Sequence, residues 1–106
     1  MNTVVVFRIG KSVIDTNQEI NIYNAAQFLK ENPKAKVVIS SYADKKTGTA
    51  AFNQKLSEKR SNAVVKALKE QYGISDDRFT VVNNGDKQQP YPDNNDWNRV
   101  TILLSK

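Results

Sequence analysis

The stretch from Asn53 to Val64 constrains this chain more than any other. At about 100° per residue, Phe52, Leu56, Ala63 and Ala67 fall on one side of a helix, with Val64 at its margin. Arg60 falls on that same side, and so does Asn53, one heptad earlier. The remaining charges, Lys55, Glu58, Lys59, Lys66, Lys69 and Glu70, spread over the rest of the arc, as on a solvated face. An arginine inside an apolar sector is costly unless something anionic meets it. Asp44, in the segment feeding this helix, can meet Arg60 directly as an ion pair that closes the loop onto the helix. Alternatively the two can clasp a ligand carrying both charges; helix geometry alone leaves both readings open.

The rest of the composition narrows the chemistry. A chain of 106 residues has room for one domain with one core, residues 1–106. It contains neither cysteine nor histidine. Disulfides and cysteine-ligated metals are therefore impossible, and the commonest general base and metal ligand are missing. We expect no enzyme, no cofactor and no metal. The formal charge of +5 admits contact with an acidic polymer, or simple solubility. A small basic nucleic-acid-binding domain is the rival from another class. Its basic residues, however, are dispersed rather than striped, and there is no aromatic-rich recognition strand. No window approaches a membrane span. Met1-Asn2-Thr3 runs straight into Val4-Val5-Val6-Phe7 without a cationic leader or cleavage site. The expectation is either a cytosolic protein or a piece of a longer exported one.

Hydrophobic patterning lays out the elements. Val4 to Ile9 is β-branched and aromatic, bounded by Gly10, and predicts a buried first strand. Thr16-Asn17-Gln18-Glu19 has the capping-box pattern, and the helix after it presents Ile22, Ala25, Ala26 and Leu29 as one stripe. Pro33 ends that helix. Lys36 to Tyr42 predicts a second strand whose apolar run suits a sheet with helices nearby. Ala43 to Gly48 is a loop, and Lys45-Lys46 at its tip is a solvated charge pair. The long helix is expected from near Thr49, its cap, to about Tyr72. Gly73 stops it, with Ile74 packing back. Ser75 to Arg78 is a turn, Phe79 to Val82 a third strand, and Asn83-Asn84-Gly85-Asp86 a further turn. Lys87 to Asp96, holding Pro90 and Pro92, predicts a long ordered loop. Tyr91 and Trp97 either cover the end of the core or form a small sugar- or peptide-facing surface. Arg99 to Leu104 is the last strand. Two strand–helix–strand units place the loops after the first two strands at one edge of the sheet, where open α/β sheets often bind ligands.

Six fragments, in order along nearly the whole chain, then carry a resemblance. Asn53, Leu56, Ser57, Arg60 and Val64 form the pattern Asn-x-x-Leu-Ser-x-x-Arg-x-x-x-Val. Around it stand Phe7-x-x-x-Lys11-Ser12, Ser41-Tyr42-Ala43-Asp44, Tyr72-Gly73-Ile74-x-x-x-Arg78, Gly85-x-x-x-x-Pro90 and Asn98-Arg99-Val100. Together they resemble the OmpA-like C-terminal peptidoglycan-binding domain, the family of OmpA and MotB C-terminal regions. The fold this implies is α/β, an α+β sandwich ordered β-α-β-α-β-(loop)-β, with a mixed four-stranded sheet and two main helices on one face.

The function it implies is non-enzymatic. Such a domain grips the diaminopimelate side chain in the stem peptide of peptidoglycan and anchors an outer-membrane or periplasmic protein to the cell wall. The implied location is the periplasmic face of the outer membrane, as part of a longer envelope protein. Diaminopimelate ends in an ammonium and a carboxylate. By the family's pattern Asp44 receives the ammonium and Arg60 the carboxylate, the latter through a two-pronged contact. Asn53 braces the loop or the ligand, and backbone groups near Gly10 and Ala43 add neutral hydrogen bonds. Arg99 is either a further ligand contact or a solvated strand residue. The chain departs from the pattern at Ala43, where the family has threonine, near Arg8 and Gly10, where it has an acidic residue, and at Asn98, where it has a second arginine. The loop between Asp44 and Asn53 is also one residue longer. A site competent but modified is the expectation, with a member turned protein-interaction scaffold as the alternative.

Overall fold

The computed structural model describes residues 1–105. Strands β1 (Asn2–Val6), β2 (Val37–Ser41), β3 (Phe79–Asn83) and β4 (Val100–Ser105), with helices α1 (Glu19–Glu31) and α2 (Ala50–Tyr72), follow the expected order. They form one mixed four-stranded sheet in the order β1-β4-β2-β3. β4 is antiparallel to both its neighbours, with Thr101 opposite Val5 on one side and Ser41 on the other, while β2 and β3 are parallel. The last strand therefore inserts between the first two. As a result β1, β2 and β3 all end at the edge where β4 begins, and the loops that follow them converge there.

Side-chain alternation puts both helices on one face. Ile22, Ala25, Ala26 and Leu29 of α1 and Val64 and Leu68 of α2 meet Val5, Val37, Ile39 and Leu103 of the sheet, and Phe7 just beyond β1, in one buried cluster. Burying each large aliphatic side chain there contributes roughly 1.5–3 kcal/mol. The opposite face is left open, and Leu104 on it is 45% exposed. There Tyr91 and Trp97 pack edge-on at 5.5 Å between centroids and, with Val4, Val6 and Val100, line a shallow apolar hollow. They cover Val100, at the site end of the sheet.

The helix ends follow local chemistry in one case and depart from it in another. Thr49 caps α2, its hydroxyl accepting from the Phe52 amide at 3.1 Å. Gly73, at φ 69°, ends it. The Ile74 amide reaches back to the Leu68 carbonyl at 3.1 Å, and the Ile74 side chain joins the core. The capping box expected at Thr16 and Glu19 is not formed: Thr16–Gln18 is a 3-10 turn with no side-chain cap, and α1 starts at Glu19. The Gln18 side chain instead accepts from the β1 amide of Val6 at 2.9 Å, which ties the helix start to the sheet.

The buried face of α2 is also rotated from the expected stripe. Phe52 is 49% exposed, whereas Ser57 and Ser61 are fully buried. Their hydroxyls make this tolerable, because each has a partner. Ser61 Oγ donates to Ser41 Oγ at 2.6 Å, which is 2.6 Å from Thr101 Oγ1. Ser57 Oγ accepts the Gly85 amide at 2.9 Å.

Candidate functional site

Arg60 projects from the middle of α2 towards the converging loops and is completely buried. Its guanidinium donates to backbone carbonyls from both loops: Nε to Lys11 at 2.9 Å, Nη2 to Arg8 at 3.2 Å and Nη1 to Tyr42 at 2.9 Å. It also lies over the Phe7 ring, 5.2 Å from the centroid, a favourable cation–π placement. Burial, with the charge of Arg99 adding to it and that of Asp44 opposing it, pushes the Arg60 pKa down to about 10. The guanidinium thus stays charged at neutral pH.

Asp44 lies just beyond β2 and is 1% exposed. It makes no ion pair with Arg60. Its Oδ1 accepts from the Lys46 amide and Asn95 Nδ2, each at 3.1 Å, and its Oδ2 from Thr47 Oγ1 at 2.8 Å and Arg99 Nη1 at 3.2 Å. Burial alone would raise its pKa. The hydrogen bonds from Thr47, Asn95 and Arg99, with the charge of Arg99, outweigh that and hold the carboxyl below its ordinary value. The direct Asp44–Arg60 pair considered above is therefore replaced by two separate arrangements. Arg60 ties backbone carbonyls together, and Asp44 is neutralised by Arg99.

Arg99 is not a solvated strand residue. It sits between a 3-10 turn at Asn95–Asn98 and β4. Its side chain is 11% exposed, and Nη2 pairs with Asp96 at 3.0 Å while Nη1 holds Asp44. Its Nε is buried without a hydrogen-bond partner.

The other expected site residues serve as loop ties in this structure. Asn53 is buried, and its amide nitrogen donates to the carbonyls of Thr47 at 2.9 Å and Asp44 at 3.4 Å and to Asp86 Oδ2 at 2.9 Å. Ala43 accepts from Gln89 Nε2 at 3.0 Å, and its own amide donates to Gly85 at 2.8 Å. Gly10 is exposed. It lies in the turn closed by the Lys11 amide on the Arg8 carbonyl at 3.0 Å, so the carbonyls flanking it are the ones Arg60 holds.

The loop between β3 and β4 contributes more than the sequence suggested. Gln89, Asn95 and Asp96 all act on the Asp44 loop or on Arg99. Gln89 Oε1 also accepts the Lys45 amide at 3.2 Å. The sequence marked this loop by its prolines, by Tyr91 and Trp97 and by the Gly85-to-Pro90 and Asn98-to-Val100 fragments, but no spacing rule singles out its amides. Gln89 and Asn95, with Lys45, Lys46, Pro92, Asp93 and Asn98, line a polar hollow of about 100 Å³. Among the described residues no three of Asp, Glu, His or Cys gather as metal ligands. What the arrangement holds is two buried groups of opposite charge, each engaged by its own partners beneath the converging loops.

The chain is 50% identical over 105 residues to outer membrane protein 40 of Porphyromonas gingivalis, covering 99% of this chain and 27% of that protein. It is 43% identical over 102 residues to outer membrane protein 41 of the same organism, covering 96% of this chain and 25% of that protein. The chain therefore spans about a quarter of the length of the curated relatives it matches. In fold it superposes on the peptidoglycan-associated lipoprotein of Burkholderia pseudomallei with a TM-score of 0.89 at 24% identity, over 98% of this chain and 90% of that one. Residues 6–101 match the OmpA family, and the chain belongs to that family.

Proposed function

We propose that this domain binds the diaminopimelate-containing stem peptide of peptidoglycan non-covalently, and so anchors a longer outer-membrane or periplasmic protein to the cell wall. The observation that carries the proposal is that Asp44 and Arg60 are both buried where the loops converge, Arg60 holding the carbonyl of Tyr42 two residues before Asp44, yet neither hydrogen-bonds the other. Opposite charges kept apart in this way are complementary to a zwitterion. Each Nη of Arg60 gives one hydrogen bond to a carbonyl and carries a second N–H suited to a ligand carboxylate. Asp44 receives the ammonium. Because both groups are buried, binding requires the loops at residues 44–48 and 84–99 to part. The names of the relatives are consistent with an envelope setting: two outer membrane proteins, and a fold neighbour described as peptidoglycan-associated.

The scaffold reading has its own support, since Asp44 and Arg60 are both engaged within the protein. Titration of meso-diaminopimelate, followed by NMR on wild type, Asp44→Ala and Arg60→Ala, separates the two. The wall-binding reading expects shifts at Asp44, Asn53, Arg60 and the Arg8–Lys11 turn that are lost in both variants. A folded wild type with no shifts at millimolar ligand sinks it in favour of the scaffold.

A further inference from the structure

We infer that Arg99 is an internal occupant of the ammonium half of this site, and that it sets how strongly the domain discriminates for an amine-bearing ligand. The inference rests on the stem-peptide reading above. Arg99 Nη1 sits 3.2 Å from Asp44 Oδ2, in hydrogen-bonding contact with the oxygen to which a ligand ammonium would donate. A carboxylate already paired with a guanidinium is a poorer acceptor for a second cation, so ligand and Arg99 compete for Asp44.

Two features make the internal contact exchangeable. The first is that Arg99 is not held by Asp44 alone. Its other terminal nitrogen pairs with Asp96 at 3.0 Å, and Asp96 is 75% exposed. Arg99 can therefore leave Asp44 and keep a carboxylate partner at the surface. The second is that its Nε is buried without an acceptor. The inward position leaves a strong donor unsatisfied, and such a donor favours any rearrangement that hydrates it. Asp44, for its part, keeps the Lys46 amide, Thr47 and Asn95 when Arg99 departs. The carboxylate stays in place while its cationic partner changes. Arg60 has no such freedom, because its partners are backbone carbonyls of two loops.

The consequence is a specificity rule. Removing Arg99 frees Asp44 for an ammonium but also removes positive charge that attracts the ligand's carboxylate. For a zwitterionic end the first effect dominates, since Asp44 contacts the ammonium directly. For a ligand with the carboxylate and no amine only the second remains. If Asp44 is free of Arg99 in about one molecule in ten, Arg99→Gln binds the zwitterion tighter by up to about tenfold.

The test is calorimetric titration of wild type and Arg99→Gln with meso-diaminopimelate and with pimelate, which has the same carbon chain and no amine. We expect tighter diaminopimelate binding by the variant, and unchanged or weaker pimelate binding. A second readout needs no substitution: the Arg99 Nε–Hε resonance of wild type should shift on saturation with diaminopimelate and stay in place with pimelate. Wild type that binds diaminopimelate as tightly as Arg99→Gln, or tighter, with an unmoved Nε resonance, overturns the role of Arg99 and leaves the stem-peptide reading standing. Binding by neither protein overturns both. Binding by Arg99→Gln alone supports both, with Arg99 as the block.

Discussion

Arg60→Met is the substitution that most directly tests the account of the buried guanidinium. Methionine is long and unbranched, so it fills much of the space while removing charge and donors. Two opposing effects set the outcome. Holding the guanidinium in a site where its pKa is pushed down to about 10 from 12.5 costs about 3 kcal/mol at neutral pH, and the substitution removes that cost. It also removes hydrogen bonds to the carbonyls of Arg8, Lys11 and Tyr42. Charge-assisted bonds of this kind contribute roughly 1.5–3 kcal/mol each, or about 5–9 kcal/mol together. The net expectation is a loss of roughly 2–6 kcal/mol, which in a domain of this size lowers Tm by about 10 °C or more. Urea unfolding followed by far-UV circular dichroism measures it, with an unchanged slope showing that the same surface is exposed. A midpoint shift worth less than about 1 kcal/mol at unchanged slope would refute the reasoning. It would mean that the carbonyl contacts contribute almost nothing, and that the arginine is retained at a stability cost for its ligand alone.

Two further outcomes follow from the site. Asp44→Asn breaks the contact with Arg99, which keeps Asp96, and is expected to cost roughly 1.5–3 kcal/mol at neutral pH. Because the folded-state pKa of Asp44 lies below its ordinary 3.8, the carboxylate's contribution is fully present above that value and is lost as pH falls through the lower one. The gap between wild type and variant, read from urea midpoints, should therefore shrink on going from neutral pH to well below 3.8; a gap that stays constant counts against the carboxylate as its source. Gly48→Ala is expected to lose more than the roughly 1 kcal/mol of a left-handed backbone position. Gly48 has φ 74°, and an added Cβ would lie 2.9 Å from Asn53 Oδ1 and 3.0 Å from Phe52 Cδ2. The Asn53 amide resonances should move in the same variant, whereas a silent Asn53 would show that the crowding is relieved elsewhere.

What the sequence disclosed and what it hid divide along one physical line. Features that depend on residues near one another in the chain were legible: the α1 stripe, the Thr49 cap, the Gly73 stop with Ile74 folding back, and the turn after α2. The placement of β4 between β1 and β2 was not, since it depends on pairing between distant segments that no local pattern encodes. The buried serines of α2 were missed for a related reason. Ser57 and Ser61 read as polar until Gly85, Ser41 and Thr101 arrive from other elements to satisfy them. At Thr16 a sound local signal was overridden, because the Gln18 side chain is committed to the β1 amide of Val6. The site shows the same division. Helical spacing put Arg60 and Asn53 on the buried face, and Asp44 stood out as the acidic residue in the segment feeding that helix. The partners each would choose, carbonyls for Arg60 and Arg99 for Asp44, are tertiary facts.

The partner of each arginine decides what it can do. Where a strand or helix ends, backbone carbonyls point outward without acceptor duty in the sheet or helix, and burying them unpaired is costly. Arg78 answers this for α1, donating to the carbonyls of Leu29, Asn32 and Ala35 around the end of that helix. Arg60 answers it for the loops after β1 and β2. Each is a rigid fork holding three carbonyls at once, of which those of Arg8 and Asn32 also accept a backbone amide, so withdrawing either arginine breaks several ties together. Arg99 instead bridges two carboxylates, one buried and one at the surface, and giving up one leaves it still paired. Of the three, it is the one whose contact a small zwitterion can replace at modest cost. The same distinction separates the substitutions: loss of Arg60 should be felt first in stability, and loss of Arg99 first in the choice of ligand.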